Sequence, residues 1–223
     1  MALPPDVIGM LCWGTDQPPH PSAAEALGGR PNRILSPKEL AEYLDLERAE
    51  LDTLMAIEGF HSNKPTCDGF DMDEVLGLER VLRSMPTVEA ADVLFGWPGV
   101  TDELVRMNLL TALRRVDGSR GIHPHTISQL LDLVRERVDS SPTSAGSTPL
   151  RCAIELGFDA RLFAWSIAQV VGGSLQATDW QAPFNLVSLQ VCERRLRELA
   201  KWPHVEPSAS LYGDGWKTTG GRP

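Results

Sequence analysis

Residues 35–60 read LSPKELAEYLDLERAELDTLMAIEGF, and their apolar positions recur at the three- and four-residue spacing of an amphipathic helix, twice, with a short break between. Ser36 is placed to cap the first helix. Pro37 suits its first position, and Glu39, three residues after the cap, completes a capping box. Leu40, Tyr43 and Leu44 then share one face, and Ala41 is small enough for a second helix to cross closely. After a turn at Asp45 and Leu46, a second helix from Glu47 directs Leu51, Leu54, Met55 and Ile57 inward, and Gly59 ends it. Residues 61–69 are polar and contain Pro65, as a hairpin or wing does. From Phe70 a third helix follows, with Val75, Leu78, Val81 and Leu82 at helical spacing.

This pattern returns in residues 85–110. Laid on 35–60 without a gap, the second copy pairs Glu39 with Glu89, Ala41 with Ala91, Leu44 with Leu94, Asp52 with Asp102 and Leu54 with Leu104. Thr87 starts its first helix, with Ala90, Ala91 and Leu94 inward; residues 95–99, FGWPG, form a bulkier turn; and a second helix from Val100 buries Leu104 and Val105. Residues 113–122 predict a basic hairpin with Asp117-Gly118 at its tip. The closing helix carries Ile127, Leu130, Leu131 and Val134.

The fold expected is mainly α: tandem winged helix-turn-helix units with small β-hairpin wings and a small C-terminal α/β element. Its segments are an irregular lead-in over 1–33, a first unit over 34–84, a second over 85–138, a flexible linker over 139–149, a C-terminal helical unit over 150–202 and a disordered tail over 203–223. In the C-terminal unit, 162–171 predicts a buried helix broken by Gly172-Gly173, 186–191 a strand and 192–201 an arginine-rich helix.

Composition narrows the functions that fit. A formal charge of -9 argues against a non-specific nucleic-acid coat, because phosphate binding is driven by Lys and Arg displacing counterions. Cys12, Cys67, Cys152 and Cys192 lack the close pairing of a zinc or redox motif, and they read as free thiols of a reducing cytoplasm. The apolar run 162–171 is too short to cross a bilayer, so no membrane association is expected. His123 with His125, and His61 near Cys67, lack further ligands at metal-site spacing. No glycine-rich phosphate loop, nucleophile elbow or paired acid motif appears, so neither an enzyme nor a cofactor is expected.

A helix-turn-helix lays its second helix in the major groove. In the first copy that helix begins Glu47, Arg48, Glu50, Asp52, three of them acidic, which favours a structural or protein-docking copy over a DNA reader. The second copy offers Thr101, Asp102, Arg106 and Asn108, and its wing adds Arg114, Arg115, Ser119, Arg120, His123 and His125; the donors among them are DNA-contact candidates, with a solvated hairpin as the alternative. Arg194, Arg195 and Arg197 form a second cluster that suits DNA or an acidic partner. Trp97, Trp165, Trp180 and Phe184 read as packing residues.

The first copy with GFDMDEVLGLERVL resembles the MerR-like or excisionase-like winged helix-turn-helix. The tandem copies, followed by FAWSIAQVVGGSL and FNLVSLQV, are similar to the helix-turn-helix region of TniQ-family transposition proteins over residues 35–199. The resemblance implies a non-enzymatic, DNA-binding or DNA-targeting adaptor of a bacterial mobile element or phage. Double-stranded DNA would be its partner, with a protein held by the acidic first unit. Two alternatives remain: an adaptor that uses helix-turn-helix folds only to dock proteins, and a transcriptional regulator.

Overall fold

A computed structural model of the chain describes residues 34–60, 69–138, 146–180 and 185–201. The expected lead-in and tail lie outside these residues, as do 61–68 of the expected first wing, Phe184 and most of the expected linker. The described chain is mainly helical, with small antiparallel sheets. None of its described helices is long and apolar enough to cross a membrane.

Helix α1 (Pro37–Leu44) begins on the expected capping box: the Ser36 hydroxyl accepts from the Glu39 N–H at 3.3 Å, and the Glu39 carboxylate accepts from the Ser36 N–H at 2.9 Å. Asp45 ends it in the left-handed region at φ 53°, and α2 (Arg48–Ile57) starts from a second capping box between Glu47 and Glu50. Helix α3 (Met72–Ser84) starts from a third, between Asp71 and Glu74. The second copy gives α4 (Val88–Phe95), α5 (Val100–Arg106), β1 (Ala112–Arg114), β2 (Arg120–Ile122) and α6 (Pro124–Glu136). Helices α1 and α4 both have 8 residues, and α3 and α6 both have 13. In each copy a residue just ahead of the first helix bridges to the segment that leads into the third, Leu35 to Phe70 and Thr87 to Gly121 of β2.

Beyond α6 come β3 (Ser147–Pro149), α7 (Ala160–Val171), β4 (Ala177–Trp180), β5 (Leu189–Cys192) and α8 (Glu193–Ala200). The strands form an antiparallel sheet in the order β3-β5-β4. Two expectations are corrected here. The end of the presumed linker, Ser147–Pro149, is an edge strand, because β5 supplies partners that a local reading cannot see. Residues 186–188 form a 3-10 turn before β5 and do not extend the strand.

The chain divides into two compact units whose boundary cuts through the second copy: Met1–Ala91 with Leu110–Gln129, and Asp92–Leu109 with Leu130–Pro223. In the first unit one apolar cluster joins Leu40 and Leu44 of α1, Leu51 and Leu54 of α2, Val75, Leu78 and Leu82 of α3, and Leu113 of β1. The hairpin of the second copy therefore completes the core of the first. In the second unit α5 packs on α7, with the Trp97 ring stacked on Phe163 at 4.2 Å and 16°. Phe95, expected in a turn, is the last residue of α4 and fully buried. The turn itself is made by Gly96 and Gly99 at φ 82° and 76°, and the bare Gly96 admits the Val187 side chain.

Candidate functional site

The candidate contact residues fall in both units. Arg114, Arg115, Ser119, Arg120 and His123 belong to the first, and Thr101, Arg106, Asn108, Arg194, Arg195 and Arg197 to the second.

In the first unit the β1–β2 hairpin is fastened to α2, the expected recognition helix. Glu50 is the bracket. One of its carboxylate oxygens accepts from the Glu47 N–H at 3.0 Å, the other from the Arg114 N–H at 3.2 Å. The Arg114 guanidinium lies 3.7 Å from the Asp45 carboxylate. Arg115 folds over its own hairpin, donating to Asp117 at 2.8 Å and to the Ser119 hydroxyl at 3.1 Å, with its side chain only 14% exposed. Gly121 makes room for it, since a Cβ there would stand 2.6 Å from Arg115 Cγ and 3.0 Å from Met85 Cβ. The Ser119 hydroxyl, bonded to Asp117, is the main cause holding that carboxyl below its ordinary range. Arg114 and Arg115 thus hold the hairpin in place, while Arg120 stands exposed on β2.

His123, expected at the surface, is 1% exposed. Its Nδ1 accepts from the His125 N–H at 3.2 Å, which leaves Nε2 as the protonated nitrogen of the neutral ring. Nε2 lies 3.1 Å from Glu58 Oε1, but out of line for a well-formed hydrogen bond. Burial pushes the imidazole pKa down, against the Glu58 charge, which raises it. The ring therefore offers no surface to a phosphate; it joins the end of α2 to the start of α6.

In the second unit Thr101 is 0% exposed. Its N–H donates to Asp92 Oδ1 at 2.9 Å, and Gly99 N–H donates to Asp92 Oδ2 at 2.6 Å. An aspartate on the preceding helix thereby caps α5, a task usually given to the residue just before a helix. Burial removes Thr101 from the reachable surface. Arg106 and Asn108 are exposed; Arg106 pairs with Glu103, and Asn108 ends its segment in the left-handed region at φ 56°.

Helix α8 carries the remaining arginines, all exposed. Arg195 donates to Glu198 at 2.7 Å, Arg197 to Glu193 at 2.8 Å, and Arg194 lies 3.8 Å from Glu198. The Arg195 hydrogen bond is the main cause that lowers the Glu198 carboxyl below its ordinary range. Over residues 193–201 the four cations Arg194, Arg195, Arg197 and Lys201 face two carboxylates, Glu193 and Glu198, a balance of +2.

The positioning roles of three residues escaped sequence reasoning: Glu50, read only as an acidic residue of the expected recognition helix, and Glu58 in the first unit, and Asp92 in the second. Glu50 reaches a partner 64 positions away, so no local spacing signals the contact. Its match to a capping box was the one visible clue, and that clue names only half of its role.

Comparison with protein-family models, with curated proteins and with solved structures found no match to this chain.

Proposed function

We propose that the chain is a non-enzymatic adaptor built from tandem winged helix-turn-helix units, which targets duplex DNA through α8 and docks a protein through its acidic first unit. The carrying observation is the state of Arg194, Arg195 and Arg197: exposed, and paired within their own helix. Exposed pairs of that kind contribute only about 0–1 kcal/mol, so exchanging a carboxylate for a phosphate costs little. Arg106, Asn108 and Arg120 are the other exposed candidates. The wing's Arg114 and Arg115 act as positioning residues, because their backbone and guanidinium groups fasten the hairpin. The likeness to the TniQ helix-turn-helix region supports placing such an adaptor in a mobile element or phage, at work in the cytoplasm.

A second reading, protein docking without DNA, is favoured by the burial of Thr101 and His123. The two readings separate in a salt series on a labelled duplex. Binding by α8 predicts a log–log salt slope that shrinks by about 2–3 in the Arg194→Ala, Arg195→Ala, Arg197→Ala triple variant, at about 0.9 per phosphate contact. An unchanged slope refutes α8 as the contact and moves it to the other exposed candidates, and no binding at about 50 mM salt refutes the DNA reading.

A further inference from the structure

An open cleft of about 550 Å³ runs along α2 in the first unit, walled by Asp52, Thr53, Ala56 and Ile57 on one side and by Thr111 and His125 on the other. We infer that this cleft docks a short basic, amphipathic segment of a partner protein, a step that rests on reading the acidic first unit as a protein-docking surface.

Three observations support this occupant. The cleft has the volume of a binding site, in the range of about 300–1,000 Å³, and its open mouth suits a chain segment better than an enclosed small molecule. Its α2 wall presents apolar surface at Ala56, which is exposed, and at Ile57, which is half-buried. That is the contact an amphipathic helix laid in a groove makes.

Charge selects the partner. Asp52 is the carboxylate in the cleft wall, paired with Arg48 at 3.0 Å, and Glu47, Glu50 and Glu58 add negative charge elsewhere along residues 47–58, where Arg48 is the one Lys or Arg. Among its described residues the whole unit holds seven Lys and Arg against thirteen Asp and Glu, a net -6. A field of that sign repels phosphate and acidic peptides and draws in Lys- and Arg-bearing ones. Arginines of the hairpin pair with Asp45 and Asp117, and none lies in the wall of the cleft.

The test uses the full chain and two fluorescein-labelled peptides of roughly 15 residues, one with Leu and Lys at helical spacing and its twin with Glu for Lys. Anisotropy titration at low salt is expected to show the basic peptide bound and the acidic twin unbound. Ala56→Arg, which fills the cleft and offsets its one carboxylate, Asp52, should weaken the basic peptide at least ten-fold with an unchanged circular dichroism spectrum. The α8 triple variant should bind it as the parent does. Asp52→Lys at the exposed rim gives the same reading should Ala56→Arg unfold. Basic-peptide binding unaffected by both cleft variants overturns the cleft and leaves the docking reading standing. Equal binding of the twins, or binding of neither, overturns both. A self-association dissolved by Ala56→Arg would name a second copy as the occupant and likewise overturn the inference.

Discussion

The two compact units use one helical vocabulary to different ends. Among described residues the first carries a net -6, while the second, with nine Lys and Arg against ten Asp and Glu, carries -1. Their interiors differ as well. The first is closed by aliphatic side chains from α1, α2 and α3 and by Leu113 of the hairpin; the second has aromatic Phe95, Trp97 and Phe163 at its centre. The apolar frame shared by the two copies, the second of which contributes residues to both units, fixes local helices without fixing what their surfaces meet. Apolar positions must interlock, whereas exposed charges answer only to solvent and partner.

The strongest way to break this comparison is to open each core in turn. Leu54→Ala in the first unit should cost about 2–5 kcal/mol, and Phe163→Ala in the second about 3–5 kcal/mol with loss of the Trp97 stack. Hydrogen exchange followed by mass spectrometry reads the units separately. Each variant should lower protection mainly in its own unit, and an equal loss throughout would dissolve the two-unit division.

A smaller effect compares how the units start their helices. Asp92→Ala removes the acceptor of two N–H groups at α5, and Ser36→Ala removes the cap of α1; each should cost about 0.5–2 kcal/mol. Chemical denaturation measures both. A negligible cost for Asp92→Ala would show that α5 is held by packing alone.

The smallest effect is a dependence on pH confined to the first unit. His123 has a depressed folded-state pKa, so below its unfolded value of about 6.5 the unfolded chain takes up protons that the folded chain resists. Its contribution is fully present above about pH 6.5 and is lost as the pH falls through the folded value. Glu58 and His125 are the charged or titratable groups that act on it, the first favouring the proton and the second opposing it. Urea midpoints at pH 7.5 and 5.5 should differ, and His123→Gln should narrow the difference. An undiminished difference in the variant would assign the pH dependence to other groups.

Much of the plan was legible in the chain. Ser36, Pro37 and Glu39 announce α1 because capping is decided within one turn, and the spacing of Val75, Leu78 and Leu82 announces α3 because helical period is local. The Asp117-Gly118 tip announces the hairpin, Gly118 taking φ 78°. The candidate surface was legible only in part. Arg194, Arg195 and Arg197 are exposed as their spacing around buried Leu196 suggests, whereas Thr101 and His123 look like surface polar residues and are buried. Nothing in the neighbourhood of His123 tells that Glu58 will stand beside it. Likewise β3 is too short to signal itself without β5.

The stretch 35–60 and its echo at 85–110 set by themselves most helix starts and the sides their apolar residues turn, since these depend on interactions within a few residues, whereas Phe95 joins α4 and Asp92 caps α5 against the local reading. Only the tertiary structure decides that the second copy's hairpin closes the first copy's core, with Leu113 buried among α1, α2 and α3 and Glu50 holding the Arg114 N–H. Contacts between residues so far apart are chosen by the free energy of the whole packed unit, and no window of sequence contains that sum.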